Sequence, residues 1–134
     1  WNNDFRKLLC GLPGVETSWA LMYNFGVRTG RIELTDLVRL MAVNPAAVYG
    51  ISNRKGSLAP GMDADFVVFD PEHEWTVRAA GLHMGCDYSP YEGLTLKGSV
   101  RTVVKSGSVM VRDGAFVSGT PGGRFLQRNS PGYK

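Results

Sequence analysis

The sequence predicts an α+β chain, with loop and helices over residues 1–51 and antiparallel strands from 52 onward. Three observations carry this. Leu34, Leu37, Val38 and Met41 recur at the spacing of one helical face. Beyond Lys55 the apolar pattern shortens to strand-length runs. Between the last of those runs stand Ser106-Gly107 and Asp113-Gly114, two-residue pairs of the kind that close tight hairpins.

In chain order, Leu9-Cys10-Gly11-Leu12-Pro13-Gly14 is dense in turn formers and predicts a tight loop. Thr17 or Ser18 is placed to cap a short helix through Phe25, with Gly26 ending it. Thr35-Asp36 opens a second helix through Ala42. Asn44-Pro45 reads as a restart, with Asn as cap and Pro in the first helical position, and Gly50 stops the turn over 46–49.

Phe66-Val67-Val68-Phe69, bounded by Asp65 and Asp70-Pro71, predicts a strand buried on both faces. Residues 100–105, 108–112 and 115–117 predict three more strands, so residues 52–118 form a meander. The tail over 119–134 is rich in Gly, Pro and Arg; it reads as an arm over a surface or a neighbouring subunit, or as a free end.

A hydrophobic content of 43% with 20% charged residues, in 134 residues, fits one soluble globular domain. The net charge of +3 is mild, and no basic run interleaved with aromatics points to nucleic acid. No stretch approaches ~18 consecutive apolar residues, so no membrane-spanning helix is expected. The N-terminus does not read as a signal peptide, because Asp4 precedes Arg6-Lys7 and the apolar stretch that follows is brief. The chain does not begin with Met, which fits a fragment, a processed chain or an incomplete reading frame. Cys10 and Cys86 belong to no CxxC pattern, and two free thiols in a cytoplasmic protein are expected over a single disulfide.

Gly56-Ser-Leu-Ala-Pro-Gly61 resembles the start of a phosphate loop, but Met62-Asp63 stand where Lys and Ser or Thr are required. An Asp there repels phosphate, and the segment reads as a bend. The glycines at 119–123 do not follow GxGxxG spacing. His73, between Glu72 and Glu74, belongs in a solvated turn. His83, Cys86 and Asp87 lie close together, yet they lack recognised zinc spacing, and a surface loop is the expected reading. Nothing supplies Cys86 with the partners of a catalytic nucleophile. Tyr88 and Tyr91 are expected to pack their loop against a neighbouring domain; stacking on a ligand is the alternative.

Three blocks, taken in order, resemble cyclic amidohydrolases. They are Gly11-Leu12-Pro13-Gly14-Val15-Glu16-Thr17, then Gly30-Arg31 through Asn44-Pro45-Ala46, then Lys55-Gly56 to Asp70-Pro71. Leu82-His83-Met84-Gly85-Cys86-Asp87-Tyr88-Ser89-Pro90-Tyr91-Glu92-Gly93 narrows the resemblance to the dihydropyrimidinase and hydantoinase branch. The resemblance implies a C-terminal portion: residues 1–51 as the terminal loop and helices of a metal-dependent (β/α)8 barrel, and 52–118 as strands of a small composite β-sandwich.

It also implies a cytoplasmic, homo-oligomeric hydrolase opening a dihydropyrimidine or hydantoin ring at two zinc ions, with no nucleic-acid or membrane partner. Such metals lower the pKa of a bridging water and polarise the scissile carbonyl. The chain has only two histidines, His73 and His83, so it cannot supply that centre and is expected to be inactive alone. One family contact carries over. The residue before the Gly-x-Pro-Gly loop, here Cys10 where the family has Asn, bonds the substrate ring through its main chain. Cys10 and Gly11 are therefore the substrate-binding candidates, with a loop that merely closes the barrel as the equal alternative. A non-catalytic assembly protein of the same fold is the competing reading of the whole.

Overall fold

The structure is a computed structural model that describes residues 4–7, 11–117 and 123–128. Most of the arm expected over 119–134 lies outside the described residues.

A short 3-10 turn, Phe5–Lys7, precedes the loop that leads into α1 (Ser18–Met22). Thr17 and Ser18 do not cap this helix with their side chains. Their hydroxyls donate backward instead, to the carbonyls of Gly14 at 3.3 Å and Val15 at 2.8 Å, and so tighten the loop. Nor does Gly26 end it: α1 continues through a π turn, Tyr23–Val27. Termination falls to Gly30 at φ +69°, where Gly30 N–H bonds Val27 O and Arg31 N–H bonds Gly26 O. That paired closure needs a left-handed residue, which glycine supplies without a Cβ clash.

The second helical stretch is unbroken from α2 (Leu34–Val38) through a π turn (Arg39–Val43) to α3 (Asn44–Val48). Asp36 does not open the helix. It sits in the first turn and accepts a hydrogen bond from Glu33 N–H at 3.1 Å. The expected restart at Asn44-Pro45 is absent because the π turn absorbs the proline. Asn44 N–H reaches back to Arg39 O, and Pro45, with no N–H, asks for no partner. Gly50 at φ +67° stops the helix as expected.

β1 (Phe66–Thr76), β2 (Thr95–Lys105), β3 (Ser108–Arg112) and β4 (Ala115–Phe116) form one antiparallel sheet in the order β1-β2-β3-β4. Both hairpin turns have positive φ at each central residue, Ser106 and Gly107, then Asp113 and Gly114. That is the handedness that matches strand twist. β1 is irregular between Asp70 and Glu74. There the Asp70 carboxylate accepts from the N–H groups of Glu72 and His73, at 3.0 and 3.3 Å. His73 is thus exposed in a turn-like bulge inside the strand.

The expected strand at 66–69 forms, but this chain by itself does not bury it on both faces. Phe66, Val67 and Val68 are 38%, 43% and 50% exposed. Among the described residues β1 is an edge strand, and the helices cover only its middle, where Trp19 and Tyr23 meet the Phe69 ring edge-on at 5.9 and 4.8 Å. Toward Phe66 a cleft of about 900 Å³ stays open, lined by Val38, Met41, Phe66, Val67 and Val103 among others. Of the stripe read from the sequence, only Leu37 is fully buried.

Ala20, Val77 and Leu96 form the packed core between α1 and β2, with Leu82, Tyr91 and Leu94 against it. Asn24 fastens helix to sheet. Its amide donates to Lys97 O at 2.6 Å and accepts from Lys97 N–H at 3.1 Å, a strand-like pairing made by a side chain.

Candidate functional site

The loop over 11–17 and the segment over 82–93 are far apart in sequence and meet in the structure. Gly11 is exposed at φ +83°, a backbone state open to glycine, and its carbonyl accepts a hydrogen bond from the Tyr88 hydroxyl at 2.8 Å. At the other end of the loop the Glu16 carboxylate is held twice by one residue. His83 N–H donates to Oε2 at 2.7 Å, and His83 Nδ1 pairs with Oε1 at 2.8 Å. Such a bond favours the proton on Nδ1, since a carboxylate can only accept. Between these anchors, a Cβ on Gly14 would stand 3.7 Å from the Tyr91 ring.

The 82–93 segment is itself well held. Leu82 and Tyr91 pack on the core, and Gly93 N–H bonds Val77 O at 2.9 Å. Glu92 closes its base by accepting from Ala79 N–H at 2.7 Å and from Arg78 at 3.3 Å. Tyr88 and Tyr91 thus each find a partner within this chain, one on the loop and one on the core.

Of the two substrate-binding candidates, Gly11 lies at the Tyr88 anchor, and Cys10 lies outside the described residues. His83 is engaged by Glu16, and Cys86 is an exposed free thiol. Among the described residues no three His, Cys, Asp or Glu side chains converge as a metal site. These residues do not fit the two-zinc centre that the resemblance implies. The partnership of Glu16, His83 and Tyr88 was missed from sequence. Each stands in a block that carries the resemblance, but their contacts span 67 and 77 positions, and no local spacing encodes them.

The segment from Lys55 to Asp70 forms a charged latch. Lys55 Nζ meets Asp63 at 2.8 Å and also Asp65, while Arg54 grips Asp63 through two nitrogens, at 2.7 and 3.2 Å. The other Asp65 oxygen accepts from Ser106 N–H at 2.6 Å, tying the latch to the β2–β3 turn. Asp63 is held below the ordinary carboxylate range by its bonds from Lys55 and Arg54. Burial alone would raise Asp65, but the Lys55 ammonium and the Ser106 N–H outweigh it and lower its pKa. Burial alone would likewise lower Lys55; its two carboxylate partners raise it instead. The latch is satisfied internally, as a structural joint is.

The helices, sheet and anchored loop match a known family. The Amidohydrolase family pattern matches residues 14–110, and the chain belongs to that family. Within it, the chain is 44% identical over 126 residues to a D-hydantoinase of Ralstonia pickettii, covering 94% of this chain and 27% of the relative. It is 41% identical over 125 residues to a D-phenylhydantoinase of an Escherichia coli O1:K1 strain, at 93% and 27% coverage. A solved D-hydantoinase superposes at a TM-score of 0.86, with 44% identity, over 94% of this chain and 27% of that one. The D-hydantoinase (dihydropyrimidinase) of a Thermus species does so at 0.89 with 33% identity, over 98% and 29%. The chain thus spans little more than a quarter of the length of these relatives. Among the described residues no helix is long and apolar enough to cross a membrane.

Proposed function

We propose that this chain is the C-terminal part of a hydrolase that opens a cyclic amide, a hydantoin or a dihydropyrimidine. The carrying observation is the match over 94% of the chain to proteins named as D-hydantoinases. Those relatives favour the enzyme over the assembly-protein reading. In this reading residues 1–51 are the terminal loop and helices of a barrel, 52–118 are strands of a small sandwich, and 119–134 are an arm. The open cleft along Phe66 and Val67 supports the division, because it leaves apolar surface for the rest of the polypeptide to cover.

Cys10 and Gly11 bind the substrate through their main chain. N–H and C=O groups persist with any non-proline side chain, so Cys in place of the family's Asn does not remove the contact. The zinc ligands belong to the part of the relatives' length that this chain does not span, and no catalytic step is assigned to residues of this chain. The complete enzyme is a cytoplasmic homo-oligomer. The test is a ring-opening assay on a hydantoin and on dihydrouracil, with zinc, using the complete polypeptide: turnover supports the reading, and its absence defeats it.

A further inference from the structure

We infer that Tyr88 is a positioning residue for the substrate loop, with the Glu16–His83 pair as a second tether. The inference rests on the reading that the Gly11 main chain meets substrate. Among the described residues Gly11 has no neighbour within 4 Å of the place a Cβ would occupy, and glycine is the least restricted residue of the chain, so its peptide needs an external hold. The Tyr88 hydroxyl provides one at 2.8 Å. Its own position is fixed, because Tyr91 and Leu82 seat the segment on the core and Glu92 locks its base to Ala79 N–H. Glu16, paired with the N–H and the Nδ1 of His83, fixes the far end of the loop five positions on.

These two anchors restrain the short loop at both ends. A carbonyl oxygen has two lone pairs, so Gly11 O accepts from Tyr88 and still has a site for a ring N–H of the substrate. Hydantoins and dihydropyrimidines both carry such a donor. Tyr88 touches neither substrate nor metal in this account. It acts by keeping the acceptor aimed at a ring N–H that is held alike in the bound substrate and the transition state, so its loss shows in KM and not in kcat.

The test uses the complete polypeptide with zinc and hydantoin, comparing wild type, Tyr88→Phe and Glu16→Gln. Phenylalanine keeps the ring and removes only the hydroxyl. The expected result is KM raised about five- to tenfold with kcat within about twofold, the size set by loss of one hydrogen bond. Glu16→Gln is expected to move KM in the same direction, and it carries the test if Tyr88→Phe lowers Tm. A merely structural role would lower the amount of active enzyme and leave KM alone. Turnover by wild type with an unchanged KM in both variants overturns the inference alone. No turnover by wild type overturns the cyclic-amide reading and takes the inference with it.

Discussion

Gly98 lies beneath the ring of Phe69, so close that a Cβ built on it would stand 2.5 Å from Phe69 Cζ and 2.8 Å from Tyr23 Cδ1. Its φ of +96° is also outside the range of L side chains. Gly98→Ala therefore combines backbone strain with overpacking, and it is expected to destabilise the fold by about 2–4 kcal/mol. Denaturant unfolding measures it; a loss below about 0.5 kcal/mol would mean the ring stack yields freely.

Asn24→Ala removes both bonds to the Lys97 main chain and leaves a half-buried peptide group without its partners. A cost of about 2–3 kcal/mol is expected, with the joint between α1 and β2 loosening first. Hydrogen exchange at the amides of β2 checks this: faster exchange at Lys97 than at Val104 in the variant is the predicted pattern.

The latch makes stability depend on pH at two ends. Asp63 and Asp65 are lowered from 3.8, so what they contribute is present above that value and lost as pH falls through their folded pKa. Lys55 is raised from 10.5, so its contribution is present below that value and lost as pH rises through its folded pKa. Lys55→Met is expected to cost about 1 kcal/mol at neutral pH, a modest figure because the group is partly exposed. It should also flatten the acid limb of a Tm-against-pH curve. An unchanged acid limb would assign that limb to other carboxylates.

The open cleft predicts self-association of the isolated 134-residue chain. Phe66 and Val67, on an edge strand, offer apolar surface and unpaired backbone groups together. Sedimentation should find species heavier than one chain, and Val67→Lys should shift them toward monomer. A compact monomer at all concentrations would mean the cleft closes on itself.

What was legible in the sequence was local. Ser106-Gly107 and Asp113-Gly114 favour their hairpins by local backbone preference, and both turns are where they were expected. Gly50 stopped its helix for the same reason. Pro45 misled because a proline reads as a boundary, and the π turn that accommodates it has no sequence mark. Burial of 66–69 was overestimated because an apolar run says what a strand can bury, not whether this chain provides the cover. The Glu16–His83 pair joins residues 67 positions apart, a distance only the folded core bridges. Of the candidate site, Gly11 was named from resemblance, whereas the hydroxyl that holds it needed the structure.

We propose that this chain carries the substrate loop of a cyclic amidohydrolase and leaves the metal chemistry to the rest of the polypeptide. A side-by-side assay tests it most directly, measuring hydantoin and dihydrouracil ring opening by the complete polypeptide and by the 134-residue chain, each with added zinc. Turnover is expected from the first and none from the second. Turnover by the 134-residue chain alone would contradict it.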